Sequence, residues 1–185
     1  MSQSAEVVKI VEVGARDGLQ NEKQIVPTAV KVKLIESLAE SGLRHVEATS
    51  FVSPKWIPQL ADAAELMAQL SRLAHVNYPV LVPNMQGYQR AVAAGAKEVA
   101  IFTAASEAFN QRNINATIEE SITRFVPVAQ AARADGIPVR GYISCVTDCP
   151  FDGPTPPAEV ARVAATLRNI GCYEISLGDT IGQGR

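Results

Sequence analysis

Arg16 and Asp17 stand between Gly14 and Gly18, directly after the apolar run from Val7 to Val13, and are the first residues whose types could do chemistry. A carboxylate can take a cation, and a guanidinium can hold an oxygen that gains negative charge during a reaction. The flanking glycines let the backbone turn sharply on either side of the pair. Neighbours in sequence point different ways, so each is expected to face a separate partner and not the other. On these residues alone a solvated loop is an equally open reading. Further along, Glu47, Ser50, Asn84, Ser144 and Asp179 also fall at the ends of short apolar runs.

Strands must deliver those positions. Val7 to Val13 is short and β-branched, as a buried strand should be. Pro27–Thr28 then starts a helix with Val32, Leu34, Ile35, Leu38 and Ala39 at helical spacing, closed by Gly42. The pattern repeats: a strand from His45 to Phe51, a helix from about Leu60 to Leu73, a strand from Asn77 to Pro83, a helix from Gln86 to Ala94, and a strand from Glu98 to Thr103. A longer loop carrying Ser106, Glu107, Asn110, Arg112, Asn113 and Asn115 reads as a lid or substrate wall before a helix from about Ile118 to Ala134. Pro138 to Cys145 is a fifth strand, a loop rich in Pro and Gly runs through Pro157, Ala158 to Ile170 is a helix, and Tyr173 to Leu177 is a sixth strand.

Strand then helix, six times over, implies right-handed crossovers and a parallel sheet. An open doubly wound sheet and a (β/α)₈ TIM barrel both fit. The first usually carries a GxGxxG turn, which Gly14–Ala15–Arg16–Asp17–Gly18 lacks. The second gathers its chemistry at the C-terminal ends of many strands, where Asp17, Glu47, Ser50, Asn84, Ser144 and Asp179 fall, and is preferred. A full barrel needs eight units and typically about 250 residues. The expectation is therefore a single TIM-barrel domain over residues 1–185, supplying the first six strand-helix units and incomplete at its C-terminus.

Composition removes other classes. A chain of 185 residues can bury a sizeable core, and a net charge of −2 with scattered charges gives no footprint for nucleic acid. No apolar run approaches the roughly 20 residues that span a bilayer, and no signal peptide precedes the first strand, so a cytoplasmic protein with no membrane partner is expected. Cys145, Cys149 and Cys172 are odd in number and lack paired CxxC spacing, which argues against disulfides and structural zinc. Cys145 reads as a buried small hydrophobe.

The stretch Val11–Glu12–Val13–Gly14–Ala15–Arg16–Asp17–Gly18–Leu19–Gln20–Asn21–Glu22 closely resembles the opening of 3-hydroxy-3-methylglutaryl-CoA lyases. The runs from Glu47 to Trp56, from Ala93 to Glu98 and from Gly171 to Gly182 resemble the same family, in the same order and at compatible spacing, so the resemblance covers essentially the whole chain. It implies a metal-dependent lyase with an Asp, Arg and Glu constellation on a TIM barrel. Asp17 would ligate a divalent cation, Mg²⁺ or Mn²⁺, and Arg16 would hold the substrate's thioester oxygen while Glu47 orients Arg16 by an ion pair. The equivalents of Gln20, Ser50, Tyr142, Ser176, Asp179 and Thr180 line the family's pocket, and Lys23, Asn113 and Arg140 resemble positions that meet the CoA portion.

The family's remaining metal ligands, a His-x-His pair and an Asn, and its loop with a catalytic Cys are not among these residues. His45 at a strand start and His75 in a linker are not placed to replace them. The implied reaction is a retro-Claisen cleavage of 3-hydroxy-3-methylglutaryl-CoA to acetoacetate and acetyl-CoA, with Asp179 a candidate base for the hydroxyl proton. It would serve leucine breakdown or ketone-body formation, with a CoA thioester as partner and a homodimer as one compatible state. By residue type alone Glu47 is also a plain strand-end ion pair, Asp179 a helix N-cap and Tyr142 a core aromatic. The rival functions are an acetyl-CoA-dependent carbon–carbon bond-forming synthase of the same superfamily and a non-catalytic truncated fragment.

Overall fold

In the computed structural model, which describes residues 8–184, five strands pair side by side and all in parallel. They are β1 (Thr49–Ser50), β2 (Val80–Leu81), β3 (Val99–Ala104), β4 (Val139–Ser144) and β7 (Glu174–Leu177). A separate antiparallel hairpin, β5 (Asp148–Cys149) with β6 (Gly153–Pro154), sits in the stretch read as loop. The helices are α1 (Thr28–Glu40), α2 (Ala63–Gln69), α3 (Met85–Ala93), α4 (Glu107–Ile114), α5 (Ile118–Ala134) and α6 (Pro157–Ile170).

Sheet order decides between the two architectures. A doubly wound sheet reverses its strand order at a switch point, whereas here the order β1-β2-β3-β4-β7 follows the chain without reversal. This is barrel connectivity, and the chain forms a partial TIM barrel. Val46, Ala48, Val80, Val82, Val99, Ile101, Val139 and Ile143 from the strand segments pack with Ile35, Phe125, Val128, Val163 and Leu167 from the helices in one buried cluster.

Several elements differ from expectation for local reasons. The first strand shrinks to one parallel bridge, Glu12 with Val46, in which the Glu12 N–H donates to His45 O at 2.9 Å and the Glu47 N–H to Glu12 O at 2.8 Å. Its Ile10 is 62% exposed because this edge has no second neighbour among the described residues; Val7, its expected start, lies outside them, as does Arg185. Residues 107–114, read as loop, form α4. Ser106 caps it by accepting from the Phe109 N–H at 3.1 Å, and Asn115 ends it in the left-handed conformation at φ 49°. The expected helix from Leu60 to Leu73 is cut to α2, preceded by a 3₁₀ turn at Pro58–Leu60.

Asn84, one of the strand-end candidates for chemistry, serves as a cap: its Oδ1 accepts from the Gly87 N–H at 2.9 Å. Gly87 itself is required by a close approach, since a Cβ there would lie 2.6 Å from Pro83 Cδ and 3.1 Å from the Phe51 carbonyl oxygen. Gly87→Ala is expected to destabilise the fold by about 1–3 kcal/mol, read as a lower urea midpoint at unchanged slope. An unchanged midpoint would show that α3 shifts freely against the β1 end.

Candidate active site

Arg16 is placed by a single wide turn, Gly14–Gly18, in which the N–H groups of Arg16 and Asp17 both donate to Val13 O at 3.0 and 2.7 Å. The curl turns two adjacent side chains toward each other, so Arg16 Nη1 donates to Asp17 Oδ1 at 2.6 Å. This corrects the expectation that the pair would face separate partners, which holds for extended backbone and fails in a helical turn. Arg16 Nε donates to Glu47 Oε1 at 2.5 Å, and the Tyr142 hydroxyl donates to the other oxygen, Oε2, at 2.5 Å. Both Glu47 oxygens are thus committed, on a side chain with no solvent exposure.

The electrostatics follow from burial and these partners. Burial works against the Arg16 charge, but Glu47 and Asp17 outweigh it and hold the guanidinium above its ordinary value. Burial, with the Glu47 charge beside it, pushes the Tyr142 phenol above its usual range, so the hydroxyl remains a donor. Arg16 Nη2 carries no hydrogen bond among the described residues. The cluster is a fixed cation with one face committed to Glu47 and Asp17 and donors left to hold an oxygen.

The other sequence candidates differ in burial and in the partners they hold. Ser176 lies beside Tyr142 in the register of β4 with β7, half-buried and on the same wall. Ser50 is buried, and its Oγ accepts from the Val52 N–H at 3.2 Å. Thr180 Oγ1 accepts from the N–H of Cys145, at 2.7 Å, where Cys145 adopts the left-handed conformation with φ 58°. Cys145 is fully buried, which pushes its thiol up to about 11. Asp179 is exposed and caps no helix; Oδ1 accepts from the Thr147 hydroxyl at 2.5 Å and the Gln183 N–H at 3.1 Å, and Oδ2 from the Gly184 N–H at 2.8 Å. These bonds, the Thr147 hydroxyl foremost, hold its carboxyl below the usual range.

Gln20 is half-buried just past the turn, while Lys23 and Asn113 are exposed. Arg140 does not stand with them. It is 8% exposed, and its Nη1 is paired with Glu174 Oε2 at 2.9 Å. On β4 it alternates with Val139 and Gly141, and because Gly141 faces Leu167 and Cys172, Arg140 and Tyr142 face the opposite side. Glu174 and Lys9, which also pair, were not singled out from sequence. A charge inside the short strand run from Tyr173 to Leu177 was the available signal.

No group of three or more His, Cys, Asp or Glu able to hold a metal ion occurs among the described residues. Asp17 is the one carboxylate of the cluster with an oxygen to offer, its side chain 56% exposed and Oδ1 already on Arg16. A divalent cation of the Mg²⁺ type takes about six oxygens, so these residues do not by themselves fit one.

The family described as HMGL-like matches residues 7–185. The mitochondrial hydroxymethylglutaryl-CoA lyase of Bos taurus is 65% identical over 177 residues, 96% of this chain and 54% of that protein. The crystal structure of hydroxymethylglutaryl-CoA lyase from Pseudomonas aeruginosa superposes with TM-score 0.93 at 55% identity, covering 96% of this chain and 59% of that one. That of an HMG-CoA lyase from Acinetobacter baumannii in complex with coenzyme A and 3-methylmalate gives TM-score 0.94 at 34% identity, covering 100% and 60%. The chain spans about half the length of the curated relatives it matches. The expectation of a cytoplasmic protein is overturned: the relatives from Bos taurus, Rattus norvegicus, Gallus gallus and Mus musculus are named mitochondrial, and one from Danio rerio cytoplasmic.

Proposed function

The chain belongs to the HMGL-like family, and on that premise we propose that the full-length protein is a lyase that cleaves 3-hydroxy-3-methylglutaryl-CoA to acetoacetate and acetyl-CoA. The observation that carries this reading is the buried Arg16–Glu47–Tyr142 cluster, a cation fixed on one side and free to bind an oxygen on the other. The relatives, named hydroxymethylglutaryl-CoA lyases, supply the substrate of this reading.

The cleavage removes the proton from the C3 hydroxyl, forms a carbonyl at C3, and sends the electrons of the C2–C3 bond onto the thioester as an enolate, which is then protonated at C2. Arg16 meets the negative charge on the thioester oxygen. Because Glu47 and Asp17 already hold its guanidinium, little reorganisation is needed when that charge develops. Asp179, kept ionised by the Thr147 hydroxyl and the 183–184 amides, takes the hydroxyl proton in this reading. The same bonds make it a weaker base, so the turn must loosen when it accepts. Gln20, Ser50, Ser176 and Thr180 form the wall around the acyl group, and Lys23 and Asn113, both exposed, meet the CoA portion. A divalent metal is part of the proposal for the full-length protein: Asp17 would be one ligand of a set that the described residues do not complete, and the ion would supply Lewis acidity at the substrate's oxygens.

The test is acetoacetate release from 3-hydroxy-3-methylglutaryl-CoA by the full-length protein, with and without EDTA, beside an incubation with acetyl-CoA and an α-keto acid. EDTA-sensitive release of acetoacetate is expected. Condensation in the second incubation without release in the first would replace the lyase by a synthase.

A further inference from the structure

Arg140 sits on β4 two residues before Tyr142 and on the same face of the strand. Its guanidinium carbon lies 5.5 Å from the centroid of the Tyr142 ring, and that of Arg16 lies 5.8 Å from the same centroid. Nη1 is tied to Glu174 Oε2 at 2.9 Å, an oxygen that Lys9 Nζ also contacts. Nε is buried and has no partner among the described residues. A buried guanidinium held only to satisfy its own donors would not leave Nε bare; ring and carboxylate set its position instead.

From there a continuous path of contacts leads to the reacting end. The Tyr142 hydroxyl fixes Glu47 Oε2, and Glu47 Oε1 fixes Arg16 Nε. We propose that Arg140 is a positioning residue for Arg16, holding the Tyr142 ring so that its hydroxyl keeps Glu47 in line. The proposal rests on Arg16 being the donor to the thioester oxygen. It replaces the reading of Arg140 as a CoA contact.

Two measurements on the full-length protein test it. With 3-fluorotyrosine incorporated, the ¹⁹F resonance of Tyr142, assigned by its loss in Tyr142→Phe, is expected to move in Arg140→Met and to return most of the way in Arg140→Lys, which restores the cation. The resonances of Tyr78 and Tyr88 stay in place, as general unfolding would not allow. In kinetics, Arg140→Met is expected to lower kcat about tenfold with KM within about twofold, and Arg140→Lys to recover most of the loss. A rise in KM at unchanged kcat makes Arg140 a binding residue and overturns the proposal, as does a Tyr142 resonance that does not move. If the unsubstituted protein releases no acetoacetate, the lyase reading falls, and the ¹⁹F comparison still decides whether Arg140 positions the ring.

Discussion

Arg16→Gln is expected to lower kcat by about 10²–10³-fold, the loss found when a preorganised donor to a developing oxyanion is removed. The size follows from what the guanidinium does at once. Its Nε is on Glu47 at 2.5 Å and its Nη1 on Asp17 at 2.6 Å, so a cation is locked in place while Nη2 has no partner among the described residues. Glutamine keeps some hydrogen bonding and loses the charge. It also leaves Glu47, fully buried, with only the Tyr142 hydroxyl as partner. Arg16→Lys is not expected to rescue. One ammonium cannot occupy both the Glu47 and Asp17 oxygens and still present a donor along the Nη2 direction. Single-turnover rates of acetoacetate release, with circular dichroism to confirm folding, check both variants. If Arg16→Lys retains more than about a tenth of the activity, the charge alone suffices and the fork geometry claimed for the site is wrong.

Much of this site was legible before any coordinates. Arg16, Asp17 and Glu47 fall at strand ends, and the period of strand and helix gave the parallel order that β1-β2-β3-β4-β7 bears out. What resisted reading has physical causes. The Arg16–Asp17 contact depends on a wide turn whose curl no side-chain pattern encodes. α4 carries Glu107, Asn110, Gln111, Arg112 and Asn113 within eight residues, too polar for an apolar stripe to announce it, although Ser106 and Asn115 mark its ends. The Arg140–Glu174 pair was not legible because a cation on a strand looks the same in sequence whether it faces CoA or a half-buried Glu174 thirty-four positions later.

Asp62→Ala is expected to cost stability toward the lower end of about 3–5 kcal/mol, although Asp62 takes no part in the proposed chemistry. Its partner Lys31 is 1% exposed on α1, and Lys31 Nζ donates to Asp62 Oδ1 at 2.7 Å and to the Gln59 carbonyl. The Thr28 hydroxyl donates to Asp62 Oδ2 at 2.8 Å. Removing the carboxylate leaves an ammonium buried against one carbonyl and a hydroxyl without its acceptor. Lys31→Met should cost less, because the Asp62 side chain is 18% exposed and can turn to water when its partner goes. Lys31→Met with Asp62→Ala should therefore be more stable than Asp62→Ala alone, which urea unfolding of the three variants measures directly. Additive losses would show that the pair is hydrated and of little worth. If the ordering holds, the pair ties α1 to the turn before α2. These elements belong to the first two strand-helix units, the ones that present Arg16 and Glu47. Loss of Asp62 should then lower the thermal midpoint while kcat, measured well below that midpoint, stays within about twofold.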